Sequence, residues 1–256
     1  MVGSVRPVDL FEAAKQQPGV QRSAFVQRLG MLAMRGLQGM GVQTWGTKSF
    51  EFWTLLCVAL WLVRPRSIVE LGSGRSTQYL ADYAMKEGIP FVSVEQARGW
   101  ARRVRGALAA GLIHGEFVHH VPIAPHGWYD IDRLDALVRV PCEALYVDGP
   151  VGVQEGLGPG SRDGEPARAW LFRAVRSVRL LVIDDVNRVQ NLRLLHALAA
   201  ERELVPFFLA YRPGRGAENV AALAVEPSAS ARLDQACAAI GIGVVREPPA
   251  LDPRQT

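Results

Sequence analysis

Lysine is nearly missing from this 256-residue chain, and cysteine and long apolar runs are scarce. The three cysteines, Cys57, Cys142 and Cys237, are odd in number and far apart, and no Cys-x-x-Cys pair occurs. Such spacing gives a zinc knuckle or a disulfide framework little support, and a reducing, cytoplasmic setting is the simplest expectation. The longest apolar stretch, Phe52 to Val63, is interrupted by Thr54. It falls short of the roughly 20 residues that span a bilayer, so no membrane is expected and a buried helix is. After Met1-Val2-Gly3-Ser4-Val5-Arg6-Pro7 come polar residues rather than an apolar run with a cleavage site, which argues against a secretory signal.

Of the 29 basic side chains only Lys15, Lys48 and Lys86 are lysine, and the net charge is +4. An arginine excess suits phosphate or nucleic-acid recognition. These arginines, however, are scattered and interleaved with acids. The densest cluster, Arg98, Arg102, Arg103 and Arg105, falls on a predicted helix and reads as a solvated face. A nucleic-acid partner is therefore not expected.

What is present is ordinary for a folded domain: 49% hydrophobic and 21% charged residues. Residues 1–48 read as an N-terminal helical extension, and 49–256 as one compact unit. A helix over 49–63 ends at Arg64-Pro65, where proline forbids continuation. Strands are then expected at 67–71, 91–95, 116–121, 144–147 and 180–183, separated by helices at 77–86, 97–112, 130–140 and 168–177. A helix over 189–201 and two strands, 205–211 and 219–225, follow, joined through Arg212-Pro213-Gly214-Arg215-Gly216. This alternation predicts an α/β, Rossmann-like, doubly wound and mostly parallel seven-stranded sheet, closed by an antiparallel hairpin and preceded by extra N-terminal helices.

Ligands of such sheets bind beyond the carboxyl ends of the strands. Here the first strand-to-helix turn is Ile68-Val69-Glu70-Leu71-Gly72-Ser73-Gly74-Arg75-Ser76-Thr77. Two glycines let backbone approach a ligand, and the opening N–H groups of the next helix face an anion. A nicotinamide fingerprint wants a third glycine where Thr77 stands, which disfavours a dinucleotide and an oxidoreductase. Glu95 ends the second strand, and a carboxylate there accepts hydrogen bonds from both hydroxyls of a ribose.

Glu-Leu-Gly-Ser-Gly followed by that acid resembles the class I S-adenosylmethionine-dependent methyltransferases. The resemblance covers roughly residues 49–225. It implies a cofactor site of Glu70, Gly72, Ser73, Gly74, Ser76, Thr77, Glu95 and Asp148, with Ile123 and Ala124 bordering the adenine. Asp148, in Tyr-Val-Asp-Gly-Pro, and Asp184-Asp185, in Val-Ile-Asp-Asp-Val-Asn, end the fourth and fifth strands. Their placement is similar to metal-dependent O-methyltransferases of the catechol type, which implies Mg²⁺ held by Asp148, Asp184 and Asp185. That pattern has asparagine where Asp185 stands, and a lysine base that is missing after Asp148. Turn and helix caps are the other reading of these aspartates.

The candidate catalytic residues are His126, in a loop after the third strand, and Asp148. His119 and His120 read as a strand pair, and Trp128 and Tyr129 as packing or pocket wall. The Gly-rich stretch 156–164 with Arg162, and Arg188, are candidates for covering or contacting an acceptor. The expectation is methyl transfer to an oxygen of a small-molecule or sugar-like acceptor. An RNA or protein methyltransferase and a non-catalytic cofactor-binding relative stay open, as does a homodimer contact through residues 1–47.

Overall fold

The computed structural model describes residues 50–149, 165–209 and 221–248. The expected N-terminal extension and the loops at 156–164 and 212–216 lie outside the described residues.

Helix α1 (Phe50–Val63) carries the apolar stretch, and Phe52, Leu55, Leu56, Val58, Ala59, Leu60 and Val63 are all buried. A helix this apolar around its circumference must be covered on every side. It ends where Arg64 enters the left-handed region at φ 48° and returns its N–H to the Leu60 carbonyl, one residue before Pro65.

The elements that follow are β1 (Ile68–Leu71), α2 (Arg75–Glu87), β2 (Phe91–Glu95), α3 (Arg98–Ala110), β3 (Val118–His120), α4 (Ile131–Leu137) and β4 (Ala144–Val147). After them come α5 (Glu165–Ala174), β5 (Leu180–Ile183), α6 (Val189–Glu201), β6 (Val205–Leu209), β7 (Ala222–Val225), α7 (Pro227–Ile240) and β8 (Val244–Val245).

The strands form one eight-stranded sheet in the order β3-β2-β1-β4-β5-β7-β6-β8. Strands β1 to β5 pair in parallel, whereas β7 runs antiparallel to both β5 and β6. Every residue of β1, β4, β5 and β7 is buried, as expected for strands covered on both faces. Side chains of α1, α2, α3 and α7 pack one face, and those of α4, α5 and α6 pack the other. This is the Rossmann-like arrangement the sequence predicts, with β8 added at the far edge beside β6. No described helix is long and apolar enough to cross a membrane.

At the amino ends of the strands, ion pairs tie four segments together. The Glu143 carboxylate accepts from the Arg66 N–H (2.9 Å) and Nε (2.8 Å), and Arg179 approaches it at 3.5 Å. Arg179 in turn grips Glu226 through two bonds of 2.8 and 2.6 Å. Burial works against ionising Glu143, but the Arg66 hydrogen bonds and the two guanidinium charges hold its carboxyl below the ordinary range. A depressed carboxylate lends stability that is present above its unfolded value and lost as pH falls through its folded one. Glu143→Gln should therefore cost about 1–3 kcal/mol at neutral pH. Urea unfolding as a function of pH checks this: below about pH 4 the difference from the parent chain should shrink.

Candidate functional site

Strand register sets the site. Leu71 is level with Val94 and Val147, and Val147 with Ile183. The next residue of each strand, Gly72, Glu95, Asp148 and Asp184, therefore stands in one row along the carboxyl rim. The ladder continues through it: Gly72 N–H donates to Val94, Asp148 N–H to Leu71, and Asp184 N–H to Val147.

The loop from β1 to α2 hangs on Glu70. This carboxylate is fully buried and its Oε2 accepts from the hydroxyls of Thr77 (2.7 Å) and Ser93 (2.5 Å). Thr77 Oγ1 accepts in turn from the Gly74 N–H at 2.8 Å. Glu70 thus lies beneath the loop rather than lining it, and it reaches the loop's upper backbone through Thr77. Ser76 is buried at the start of the same helix.

Two glycines of the loop meet different constraints. Gly72 has φ 91°, and a Cβ there would come within 2.8 Å of Asp148 C and Gly149 N. Only glycine fits, by both conformation and space. Gly74 has an extended φ of −173°, and a Cβ there would find nothing within 4 Å. Its exposed flank opens into free space above the loop.

Glu95 is buried and bridges the loop to β2. Its Oε2 accepts from both the N–H and the hydroxyl of Ser73 at 3.1 Å, and its Oε1 accepts from the Ala97 N–H at 2.8 Å. Trp100 on α3 donates its indole N–H to the Ser73 carbonyl at 2.7 Å and braces the loop from outside.

The segment after β3 doubles back as a narrow hairpin. Ile123 pairs with Tyr129, Ala124 N–H bonds Trp128, and Gly127 N–H closes a turn on Ala124 with Pro125 at its second position. His126 sits at the tip, half-buried, its Nδ1 buried without a hydrogen-bond partner among the described residues. Tyr129 and Trp128 are fully buried and pack edge to face at 5.4 Å.

The Tyr129 hydroxyl lies 3.0 Å from where a Gly149 Cβ would stand, and 2.9 Å from that point is the Cα of Gly72. Burial pushes the phenol well above its usual range, and the negative charges of Glu95, Asp148 and Glu70 add to the effect. The hydroxyl has no hydrogen-bond partner among the described residues, and the nearby Gly72 N–H is committed to Val94. From sequence, Tyr129 reads as packing or pocket wall, and Gly149 is given no role. The signal was the glycine directly after a rim aspartate, which lets a bulky neighbour close in.

The aspartates after β5 form a turn of their own. Asp184 Oδ1 accepts from the Asp185 N–H (2.8 Å), and Asp185 pairs with Arg188 at 3.3 Å. Asn191 Nδ2 holds both their carbonyls, and Asp185 has φ 52°. Among the described residues no three His, Cys, Asp or Glu side chains converge as metal ligands. Asp184 thus caps the turn and Asp185 turns to a guanidinium.

Solved structures share this architecture. A cofactor-bound structure of Rv0187 from MTB aligns with TM-score 0.50 and 19% identity over 86% of this chain and 97% of its own. A candidate O-methyltransferase from Klebsiella pneumoniae aligns with TM-score 0.50 and 16% identity over 86% of this chain and 96% of its own. At such identities the likeness shows the fold alone, the Rossmann-like α/β arrangement. No protein-family profile and no curated protein sequence matches the chain.

The two glycines give opposite expectations. Gly72→Ala should destabilise by about 2–4 kcal/mol, from left-handed strain plus overpacking. Gly74→Ala should stay within about 1 kcal/mol of the parent, as expected at a helix N-cap. Urea denaturation of both variants tests the loop geometry, and equal losses would contradict it.

Proposed function

We propose that this chain is an S-adenosylmethionine-dependent methyltransferase that methylates an oxygen of a small-molecule or sugar-like acceptor. The observation that carries the reading is the pairing of Gly74, open to free space, with the Glu95 carboxylate beside it on the rim. The fold shared with a cofactor-bound structure and with a candidate O-methyltransferase supports it.

In this reading Gly72, Ser73, Gly74, Ser76 and Thr77 surround the methionine portion, and Glu70 positions them from below. Glu95 takes the ribose. A carboxylate offers about four acceptor positions, and three are already used by Ser73 and Ala97. Of these bonds, the one from the Ser73 hydroxyl is the freest to rotate away, so ribose hydroxyls replace it while the two backbone N–H bonds keep the carboxylate aimed. Ile123, whose side chain is exposed, borders the adenine with Ala124.

When bound, the cofactor supplies a methyl group already activated by its sulfonium. The chain's own task is to align an acceptor oxygen with that methyl and to take its proton. His126 and Asp148 are the groups assigned to the proton, Asp148 from the rim and His126 from the hairpin tip. In this reading Asp184 and Asp185 serve their turn and Arg188, and no step is routed through a metal.

Titration calorimetry tests the cofactor assignment. The parent chain should bind S-adenosylmethionine, and Glu95→Gln and Gly74→Ala should each weaken binding at least about tenfold, or 1.4 kcal/mol. Unchanged affinity in both variants would remove the site. Transfer of labelled methyl groups into pooled hydroxylated acceptors tests the activity. Turnover should persist in EDTA, and loss with chelator followed by rescue with Mg²⁺ would reinstate a metal.

A further inference from the structure

The arginine excess has a place in this fold that the methyl-transfer reading does not use. Arg98, Arg102 and Arg105 stand at i, i+4 and i+7 on α3 and so share one stripe. They line a groove of about 870 Å³ at the open edge of β3, facing Arg133 of α4 across it. His119 and His120, on successive residues of the edge strand, line the groove between them. A sequence reading that treats Arg98–Arg105 as a solvated face misses this, because α4 and β3 supply the opposite wall.

Among the described residues no carboxylate lines the groove. Among the described residues Arg98 and Arg102 have no acidic partner, and Arg105 spends only its Nε, on the outward-facing carbonyl of Val118 at 2.9 Å. Arg133 is partly neutralised from behind by Asp130 at 3.3 Å. The ring of His120 donates its Nε2–H to the Gln96 carbonyl, 3.1 Å away, which fixes its orientation. Like charges gathered in a concavity repel unless an anion joins them, and a cleft of one sign concentrates such anions. The volume falls in the range of small-ligand sites.

The lining also says what kind of anion fits. Guanidinium forks match phosphate oxygens in pairs. Among the described residues no Phe, Tyr or Trp lines the groove. Trp100 and Arg103 lie on a different stripe of α3, stacked on one another at 5.4 Å, with the Trp100 indole N–H bonded to Ser73. A single-stranded nucleic acid relies on stacking its bases on large aromatic side chains, which the described lining lacks.

We propose that the groove between α3 and α4 at the open edge of β3 is a binding site for a small polyanion bearing two or more phosphate groups. The site is independent of the methyl-transfer reading, since it lies off the cofactor loop and its test needs no S-adenosylmethionine.

Calorimetry with sodium tripolyphosphate and with inorganic phosphate, at low ionic strength, tests it. Tripolyphosphate should bind with one-to-one stoichiometry, at least about tenfold more tightly than phosphate. Arg102→Gln and Arg133→Gln should each weaken it about five- to tenfold, while Arg193→Gln, on α6 at the other end of the sheet, should leave it unchanged. All three positions are exposed, so unchanged melting curves should accompany these effects. Absence of binding, or equal losses in the Arg193 variant, would overturn the site. A twelve-nucleotide RNA that outcompetes tripolyphosphate would overturn the small-ligand assignment in favour of nucleic acid.

Discussion

A single buried carboxylate organises the rim. Glu70 is withdrawn from water at the end of β1, and burying it is tolerable because hydroxyl donors from two other elements meet it. Ser93 ties it to β2, and Thr77 ties it to the first turn of α2. Through Thr77 the restraint passes to the Gly74 N–H, so the backbone that opens toward a ligand is held from inside the protein. Glu95 repeats the arrangement one strand over, holding Ser73 by its N–H and hydroxyl. The loop is preorganised by carboxylates on both sides, and binding need not spend energy ordering it.

Charge is divided spatially in this fold. The acids Glu70, Glu95, Asp148 and Asp184 belong to the carboxyl ends of the strands. The Arg66–Glu143–Arg179–Glu226 network clamps the amino ends, where burial and neighbouring guanidiniums make it a structural device. A cluster of arginines, Arg98, Arg102, Arg105 and Arg133, gathers at the edge beside β3. A net charge of +4 therefore says little by itself, because its consequences depend on which end or edge of the sheet carries each group.

Much of this was legible in the chain. The apolar runs marked five parallel strands, and α6 spans the residues its periodicity predicts, Val189–Glu201. The glycine loop and Glu95 marked one rim because the loop follows β1 and Glu95 ends β2, strands paired in parallel. Other features were not legible. Helix α7 has a proline at its start and left-handed Gly241 at its end, yet its Ala- and Ser-rich stretch has no strong apolar stripe. Strand β8 has two residues, too few for any periodicity. The roles of Tyr129 and Gly149 arise from a contact between segments far apart in sequence. The turn that Asp184 caps and the Asp185–Arg188 pair were not legible either, since they depend on local backbone geometry.

The central claim is that the loop over Glu70 and the Glu95 carboxylate together receive the adenosyl cofactor. A crystal structure with S-adenosylhomocysteine measures this most directly. The account predicts the ribose hydroxyls within hydrogen-bond distance of Glu95, the Ser73 hydroxyl turned away from it, and the amino-acid portion against Gly74. A ligand seated elsewhere, with Glu95 still bonded only to Ser73 and Ala97, would contradict it.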